Sequence, residues 1–501
     1  MLAQAHSASI LGVDGVLVRV EVDVAFGLPS LTIVGLAGSQ VQEARERVRS
    51  AIRNTGFEVP ARRITVNLSP ADLPKDGTGY DLAIAIGILA ASGQLPRAEA
   101  LIGTALIGEL ALDGGIRPVA GAMALVAAAR ECGMAAAIVS SLDVAEAATV
   151  ASITVHGARS LGDAVAHLSG VRPLPPAEMT PLPDAEDVRA DGELASVIGQ
   201  PMARRALELA VAGRHNLALC GPPGVGKTMI LRCADALQPP LEDAEAIEVS
   251  RIYSVAGLLD RRAPLIRRRP FRAPHHTVST AGLVGGGPRI RPGEASLAHR
   301  GTLFLDETLQ FRADALDALR QPMESGTVTI ARVEGALQLP ARFMFLAAFN
   351  PCPCGWSGSG VRACTCEDAV ARRYAARLSG PLRDRIDLWV RMEQPAPRSE
   401  VDGVEPSSVV AARVRAGWQR QLARQGEANA QVPVEHLRAT DAGAHLASLL
   451  QQRAARFVLS PRRQQRLLRV ARTIADLASE HAIRPEHIDE ALQFRPEAAL
   501  G

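Results

Sequence analysis

The segment that most constrains this chain is the run GPPGVGKT, which lies directly after the apolar segment NLALC and before MILRCADAL. It fits the pattern G-x-x-x-x-G-K-[ST], in which glycines let successive backbone N–H groups converge on phosphate oxygens. A chance glycine-rich turn rarely stands between a strand and a helix in this way. We therefore predict a nucleotide phosphate site formed by Gly221, Pro222, Pro223, Gly224, Val225, Gly226, Lys227 and Thr228.

Two side chains of this run carry chemistry. We expect Lys227 to contact the β- and γ-phosphates of ATP, and Thr228 to ligate Mg²⁺. The chain has only two lysines, Lys75 and Lys227, and arginine supplies its other basic side chains. A compact ammonium group at position 227 therefore fits a specific role.

Two later apolar strands also end in polar side chains. GTLFLDE ends in Asp306 and Glu307, and FMFLAAFN ends in Asn350. Beside the phosphate site, Asp306 would hold the Mg²⁺ shell and Glu307 would polarise the attacking water. We expect Asn350 to help position that water. The alternative interpretations are a strand ending in solvated acids and an asparagine that only forms a turn.

The order of apolar patterns predicts a multi-domain α/β protein. Residues 1–167 mix alternating segments such as VLVRVEVDV with alanine-rich helical ones, which predicts an α+β domain. Residues 168–192 are rich in proline and acid and predict a linker. Residues 193–392 alternate short strands with helices, which is typical of a parallel sheet covered on both faces. Residues 393–501 predict a small helical domain.

The composition is that of a soluble globular protein, with 47% hydrophobic and 22% charged residues among 501. The net charge of +2 gives a weak global field, so any nucleic-acid contact requires local basic patches. The first residues lack the pattern of a targeting signal, and the apolar stretches are too short for a bilayer. We therefore expect a cytoplasmic protein with no membrane partner.

Several segments together resemble the ComM/YifB-type magnesium-chelatase-like AAA+ ATPases, and the resemblance covers essentially the whole chain. The strongest matches are GPPGVGKT, RPFRAPHHTVSTAGLVGGG, RPGEASLAHRGTLFLDE, LRQPMESGTVTIARVEG, NPCPCG and SGPLRDRIDL. One departure lies after the paired acids, where the family usually has a Leu-Pro-Glu-Phe run. This chain has Thr308, Leu309, Gln310 and Phe311 there.

The resemblance implies a P-loop AAA+ core with a C-terminal helical lid, assembled into a hexameric ring with ATP at the subunit interfaces. It also implies work on single-stranded or branched DNA, such as branch migration or helicase-like remodelling during DNA uptake and recombination. The DRID part of SGPLRDRIDL resembles the finger motif of minichromosome-maintenance helicases, which favours Arg385 over Arg383 as an arginine finger. The run RLLRVARTIADL implies that Arg469 touches the γ-phosphate in cis.

The N-terminal region resembles the proteolytic domain of Lon proteases. LPKDGTGYD is similar to the segment that carries the Lon nucleophile, and IGELALDGGIRPVAGAM to the segment that carries its lysine. Gly79 stands at the position of the serine, and the second segment contains no lysine. Because a Ser–Lys dyad needs a hydroxyl and an amine, we expect no peptidase activity.

Four of the seven cysteines are clustered, and they form the pattern C-x-C-x9-C-x-C. In a cytosolic chain such clustering favours a metal over disulfides. Four thiolates could bind one structural Zn²⁺, although the one-residue gaps are tighter than usual. Unmetallated thiols and another metal or redox chemistry are the alternatives. The candidate ligands are Cys352, Cys354, Cys364 and Cys366.

Two segments are candidates for DNA contact. TVTIARVEGALQLP predicts a hairpin in which Arg332 is the basic residue. The insert 267–291 is rich in basic side chains that suit phosphate contact, although a solvated basic face or subunit contacts would use the same residues. These side chains are Arg267, Arg268, Arg269, Arg272, His275, His276, Arg289 and Arg291.

Three functions fit the motifs. The first is an ATP-dependent DNA-remodelling motor, and the second is the ATPase subunit of a metal chelatase that inserts Mg²⁺ into a porphyrin. The third is a protein-remodelling ring that does not bind nucleic acid. The Lon-like region and the cysteine cluster favour the first function over the second.

Overall fold

The computed structural model describes residues 1–36, 38–73, 75–178, 192–287, 290–332, 335–360, 362–394, 405–433, 435–436 and 460–495. Its contacts divide the chain into two compact units. The first contains Met1–Pro183, Asp243–Ile266 and Arg332–Leu337, and the second contains Asp184–Glu242, Arg267–Ala331 and Gln338–Gly501. The domain limits predicted from the sequence stay predictions, and most of the predicted linker, 179–191, lies outside the described residues.

The first unit is built on a seven-stranded mixed sheet with the order β3-β4-β2-β1-β5-β8-β9. Along the second strand, valines at alternate positions are buried and the charged residues between them face outward, as a half-buried strand requires. The strands of this unit are β1 (Leu2–Leu11), β2 (Asp14–Ala25), β3 (Ser30–Val34), β4 (Arg63–Ser69), β5 (Thr104–Leu106), β6 (Glu109–Leu110), β7 (Ile116–Arg117), β8 (Ala136–Ser140) and β9 (Thr154–Ala158).

Helices cover this sheet. They are α1 (Ser39–Asn54), α2 (Asp81–Ala91), α3 (Ala122–Glu131), α4 (Val144–Ala147) and α5 (Leu161–Leu168). The sequence of α2 is apolar on every side, and ten of its eleven residues are buried, because it packs between the sheet and α1. The mixed α/β character predicted for this region is therefore observed, whereas its likeness to the Lon proteolytic domain stays a prediction.

The second unit contains a five-stranded parallel sheet with the order β11-β14-β17-β10-β18. Its central strands are buried along their whole length, as expected for a sheet covered on both faces. The remaining strands of the chain are β10 (Leu217–Cys220), β11 (Phe271–Arg272), β12 (Gly285–Gly286), β13 (Arg291–Pro292), β14 (Thr302–Leu305), β15 (Thr327–Arg332), β16 (Gly335–Pro340), β17 (Met344–Phe349) and β18 (Leu388–Arg391).

Short helices connect these strands, and longer ones form the C-terminal part. They are α6 (Pro201–Gly213), α7 (Lys227–Arg232), α8 (Ala234–Leu237), α9 (Asp243–Ala256), α10 (Thr280–Val284), α11 (Glu294–Leu297), α12 (Ala313–Ala318), α13 (Arg320–Ser325), α14 (Asp368–Ala375), α15 (Gly380–Arg383), α16 (Ser407–Gln425), α17 (Pro461–Leu477) and α18 (Pro485–Ala491).

Helix α9 belongs to the first unit, although the sequence places it within the predicted ATPase core. The backbone N–H of Gly121, before α3, donates to the Ser254 carbonyl at 3.1 Å. The Ser254 hydroxyl also contacts the buried Glu146 carboxylate. These long-range contacts explain why the apolar pattern of α9 alone did not indicate its partner.

The C-terminal helices share one hydrophobic core with the parallel sheet. Val414 of α16 and Leu468 of α17 belong to the same buried cluster as Leu217 and Leu219 of β10. The helical C-terminal region predicted from the sequence is therefore observed, packed on the sheet that carries the P-loop. Within the described ranges, no helix combines the length and the apolar character that crossing a bilayer requires.

Candidate nucleotide site and cysteine cluster

The P-loop leaves the parallel sheet at the end of β10 and leads into α7. Gly226, the residue before α7, has a left-handed backbone conformation (φ 89°) that a side chain would disfavour. The loop therefore turns sharply at this point and directs its backbone toward the start of the helix. This is the geometry that the sequence pattern predicts for a phosphate site.

Lys227 connects the P-loop to the neighbouring strand. Its Nζ atom donates to the carbonyls of Gly221 and Pro222, both at 2.8 Å, and to Asn350 Oδ1 at 3.0 Å. Burial lowers the pKa of Lys227, while the nearby groups Cys220, Asp306 and Glu307 act in the opposite direction. The structure thus brings together two residues, Lys227 and Asn350, for which the sequence predicted related roles.

Thr228 and Asp306 form the second contact of the site. The Thr228 hydroxyl donates to Asp306 Oδ2 at 2.9 Å, and the backbone N–H of Glu307 donates to Asp306 Oδ1 at 2.9 Å. A hydroxyl and a carboxylate are the hard oxygen ligands that Mg²⁺ takes from P-loop proteins, so this pair fits the predicted ion. The Glu307 side chain is exposed beside it.

All of these residues lie at one edge of the parallel sheet. Asp306 follows β14, Asn350 follows β17 and the P-loop follows β10, and these strands are parallel neighbours. Because the carboxyl ends of parallel strands meet at the same edge, residues far apart in the chain converge there. The run after the acids departs from the usual family sequence, yet the Thr308 hydroxyl donates to the Leu305 carbonyl at 2.7 Å.

Arg385 and Arg469 lie at the opposite edge of this sheet. Asn216, the residue before β10, donates through Nδ2 to the Arg385 carbonyl at 2.7 Å and through its backbone N–H to Asp387 at 2.9 Å. Both arginines line a cleft of about 410 Å³ together with Asn216 and Asp387. Burial raises the pKa of Asp387, and Arg466 acts in the opposite direction.

Arg469, for which the sequence predicted a contact with the γ-phosphate in cis, lies away from the P-loop. Its Nε donates to the Val432 carbonyl at 3.0 Å on the side of the sheet where β10 begins. The P-loop begins at the other end of β10, a strand that spans about 13 Å at roughly 3.3 Å per residue. The structure therefore does not bring Arg469 next to the P-loop of its own chain, and its contact with the γ-phosphate stays a prediction. The sequence motif did not indicate the sheet edge on which α17 packs.

The four clustered cysteines converge in space. Their sulfur atoms all lie within 4.8 Å of one another, with the Cys352–Cys354 pair at 3.3 Å and the Cys352–Cys364 pair at 3.7 Å. Four Zn–S bonds of about 2.3 Å in a tetrahedron place the sulfurs about 3.8 Å apart. The arrangement therefore fits a four-thiolate zinc site.

The loop that carries these cysteines packs against the P-loop. It begins after Asn350, and a Cβ atom added to Gly355 would lie 2.6 Å from Pro223 Cδ, so only glycine allows this approach. On its other side, Arg391 of β18 donates to the Gly358 carbonyl at 2.9 Å. The motif NPCPCG contains Gly355 but did not indicate its contact with Pro223, and Arg391 lies outside the recognised motifs.

The predicted DNA-contacting residues divide into several groups. The hairpin of β15 and β16 is observed, although the side chain of Arg332 and residues 333–334 lie outside the described part, as does Arg289.

Arg269 is buried and donates to the Arg300 carbonyl at 2.7 Å. Arg268 pairs with Asp235, and Arg272 with Glu294. These three arginines therefore have partners within the second unit, and their contact with a nucleic-acid phosphate stays a prediction.

The other described basic residues of this insert are compatible with a surface role. The rings of His275 and His276 are 4.1 Å apart, and the His276 ring meets Phe311 edge-on at 6.4 Å. Arg267 is half-buried, whereas Arg291 in β13 is exposed.

The sheet order, the P-loop and the acids that follow β14 define a P-loop protein of the AAA+ class. Three family models match the chain. "Magnesium chelatase, subunit ChlI" matches residues 193–400, "Subunit ChlI of Mg-chelatase" matches 20–143, and "Magnesium chelatase, subunit ChlI C-terminal" matches 404–495.

Proteins similar along the whole length specify the family further. Rv2897c of Mycobacterium tuberculosis is 43% identical over 505 residues, which cover 99% of both chains. YifB of Escherichia coli is 42% identical over 499 residues, and Competence protein ComM of Haemophilus influenzae is 41% identical over 505; each alignment covers 99% of this chain and 97% of the relative. The chain belongs to the ComM/YifB family of magnesium-chelatase-like AAA+ proteins.

Proposed function

We propose that this chain is an ATP-dependent DNA-remodelling motor that hydrolyses ATP at the subunit interfaces of a ring, which the family resemblance implies to be a hexamer. The observation that carries the proposal is the division of the catalytic groups between two edges of one sheet. Lys227, Thr228 and Asp306 lie at the carboxyl edge, and Arg385 lies at the amino edge. An arginine in that position lies away from the P-loop of its own chain, which supports a role in the site of a neighbouring subunit.

Each group then has one task in hydrolysis. Lys227 donates to the β- and γ-phosphates in place of its present carbonyl partners, and Thr228 and Asp306 hold Mg²⁺, which offsets phosphate charge when bound. Glu307 accepts a proton from the attacking water, which Asn350 helps to orient. Arg385 of the adjacent subunit offsets the charge that develops on the γ-phosphate.

The cysteine loop has a structural part in this proposal. Its four thiolates hold Zn²⁺, and the contact between Gly355 and Pro223 supports the P-loop from one side. The zinc would thereby fix the start of the loop at Asn350. This would keep the side-chain amide of Asn350, which orients the water, in its hydrogen bond with Lys227 at 3.0 Å.

DNA is the proposed substrate for two reasons. One relative, with 41% identity over nearly its whole length, is named Competence protein, which fits a role in DNA uptake and recombination. The β15–β16 hairpin also lies, along the chain, between the acids that follow β14 and Asn350. The segment proposed to bind DNA is therefore connected through the chain to both groups. The family resemblance implies single-stranded or branched DNA.

A second candidate is the ATPase subunit of a magnesium chelatase, because the matching family models carry that description. Both candidates use the same hydrolytic site, so the stimulating ligand distinguishes them. The decisive measurement is ATP turnover with and without single-stranded and branched DNA, and with a porphyrin and Mg²⁺. We expect DNA to raise the turnover of the wild-type protein, and Lys227→Ala to abolish turnover in every condition. Turnover that responds to porphyrin but not to DNA would support the chelatase instead.

A further inference from the structure

The guanidinium of Arg385 is held on several sides in the free chain. Its Nη1 donates to the Pro381 carbonyl at 2.6 Å, and its Nη2 forms an ion pair with Glu324. Only 15% of the Arg385 side chain is exposed, against 55% for Glu324. Arg385 is therefore withdrawn into the cleft and must exchange the carboxylate for another partner before it can contact a phosphate outside its own chain.

Glu324 lies where three elements meet. It is the fifth residue of α13, which ends just before the β15–β16 hairpin. Gln321 of the same helix donates to the Thr329 hydroxyl in β15 at 2.7 Å, so the helix and the hairpin are joined by a side-chain bond as well as by the chain. On the other side, Arg462 at the start of α17 approaches Glu324 at 3.8 Å.

The charge of Glu324 suits this position. The hydrogen bond from Arg385 and the charges of Arg385 and Arg462 lower the pKa of the Glu324 carboxyl, which favours its ionised form. Arg385 meets Glu324 through Nη2 alone, and an N–H directed at this carboxylate cannot be directed at a phosphate oxygen at the same time. A displacement of α13 would therefore free the donor.

We propose that Glu324 is a positioning residue for Arg385: it holds the finger withdrawn and couples its release to movement of the β15–β16 hairpin. The inference rests on the proposed function, because that function supplies both the phosphate for Arg385 and the DNA for the hairpin. A ligand that shifts the hairpin moves α13 through the Gln321–Thr329 bond, and the carboxylate moves with the helix. DNA binding and ATP turnover are then linked through one ion pair.

The test compares ATP turnover of assembled full-length protein with and without single-stranded DNA. Glu324→Gln should raise the DNA-free rate by about 2- to 5-fold, the range expected for loss of a partly exposed ion pair, and leave the stimulated rate unchanged. Gln321→Ala should keep the DNA-free rate and lower the stimulation. Glu427→Gln is the matched control, because Glu427 lines the same cleft but pairs with Arg342 at 3.6 Å.

An unchanged or lower DNA-free rate in Glu324→Gln overturns the inference, and so does an equal rise in Glu427→Gln. If Glu324→Gln does not fold, Gln321→Ala decides: wild-type stimulation in that variant overturns the coupling. Failure of the proposed function has a different signature. It appears in the wild-type protein, as an absence of stimulation by DNA, or in Arg385→Ala, as normal turnover.

Discussion

At the scale of single residues, the backbone and the side chain of Glu307 have different roles. Its backbone has a left-handed conformation (φ 48°), and its N–H binds the Asp306 carboxylate at 2.9 Å. The side chain of Glu307 is exposed. Glu307 thus orients the Asp306 carboxylate through its backbone and presents its own carboxylate to solvent, which suits the roles proposed for the two acids.

We expect Glu307→Gln to bind ATP but to lower turnover by about 10²-fold or more, because an amide cannot accept the proton of the attacking water. Nucleotide binding measured by equilibrium titration should stay close to that of the wild-type protein. Asp314→Asn removes an exposed acid of α12 and serves as the control. Wild-type turnover in Glu307→Gln would require another base.

Asp143 in the first unit makes a prediction about pH. It is only 2% exposed, and burial raises the pKa of its carboxyl to about 7, while the N–H of Val119 acts in the opposite direction. From about pH 4 to pH 7, the folded state therefore keeps a proton that the unfolded state has lost. The free energy of unfolding should fall as pH rises through this window, by up to about 1.4 kcal/mol per pH unit.

Asp143→Asn should remove this dependence. Relative to the wild-type protein, the variant should gain stability between pH 5 and pH 8, as measured by the thermal unfolding midpoint at both values. Asp113→Asn, at an exposed position, should follow the wild-type profile. A constant difference between Asp143→Asn and the wild-type protein at both pH values would mean that Asp143 does not retain its proton on folding.

At the scale of elements, the cysteine loop is the clearest case of one segment supporting another. It begins after Asn350, touches Pro223 of the P-loop through Gly355, and is held by Arg391 of β18. Two sides of the nucleotide site thus depend on the shape of a loop with little regular structure of its own. The proposed zinc would supply the rigidity that a loop of this kind lacks.

We expect purified protein to contain about one zinc per chain. Replacing Cys352 and Cys354 together by serine should remove the metal, lower the thermal stability of the second unit and reduce ATP turnover by about 10- to 100-fold, because the displaced loop misplaces Asn350. Elemental analysis, thermal unfolding and turnover measure the three effects.

Cys132→Ser is the control for that double variant, since Cys132 is an exposed cysteine outside the cluster. It should retain the zinc content and activity of the wild-type protein. Metal-free wild-type protein with full stability and turnover would contradict a structural zinc.

The elements also show what could be predicted from the sequence. The P-loop, the acids after β14 and Asn350 follow from short local patterns at the ends of apolar strands. The partners of Arg385 do not: Asn216 lies 169 residues away and Glu324 lies 61 residues away. The position of Arg469 could not be predicted for the same reason, because a helical pattern in α17 does not specify the sheet edge against which the helix packs.

At the scale of the whole molecule, Arg385 provides the test of assembly. Arg385→Ala should bind ATP nearly as well as the wild-type protein, while its turnover falls by about 10³-fold or more, because a finger acts only in the transition state. Mixed with Lys227→Ala subunits, it should regain part of the activity. A mixed interface can pair an intact P-loop with an intact finger, although each variant alone is inactive.

The mixing experiment requires independent proof that the two variants assemble together, for example by isolating mixed rings through a tag on one variant. Mixed assemblies without recovered turnover would place Arg385 in its own chain's site or in a purely structural role. Recovery would support a site shared between subunits.

The strand β10 carries the P-loop at one end and, through Asn216, the Arg385 segment at the other. A hydrogen-bonded strand inside a parallel sheet is stiff, so a displacement of its phosphate end is transmitted to its arginine end almost undiminished. In a closed ring, the arginine end faces the next nucleotide. Each subunit would then transmit the state of its own nucleotide to the next subunit. Hydrolysis would proceed from subunit to subunit in sequence, and turnover would depend more steeply on ATP concentration than in a set of independent sites.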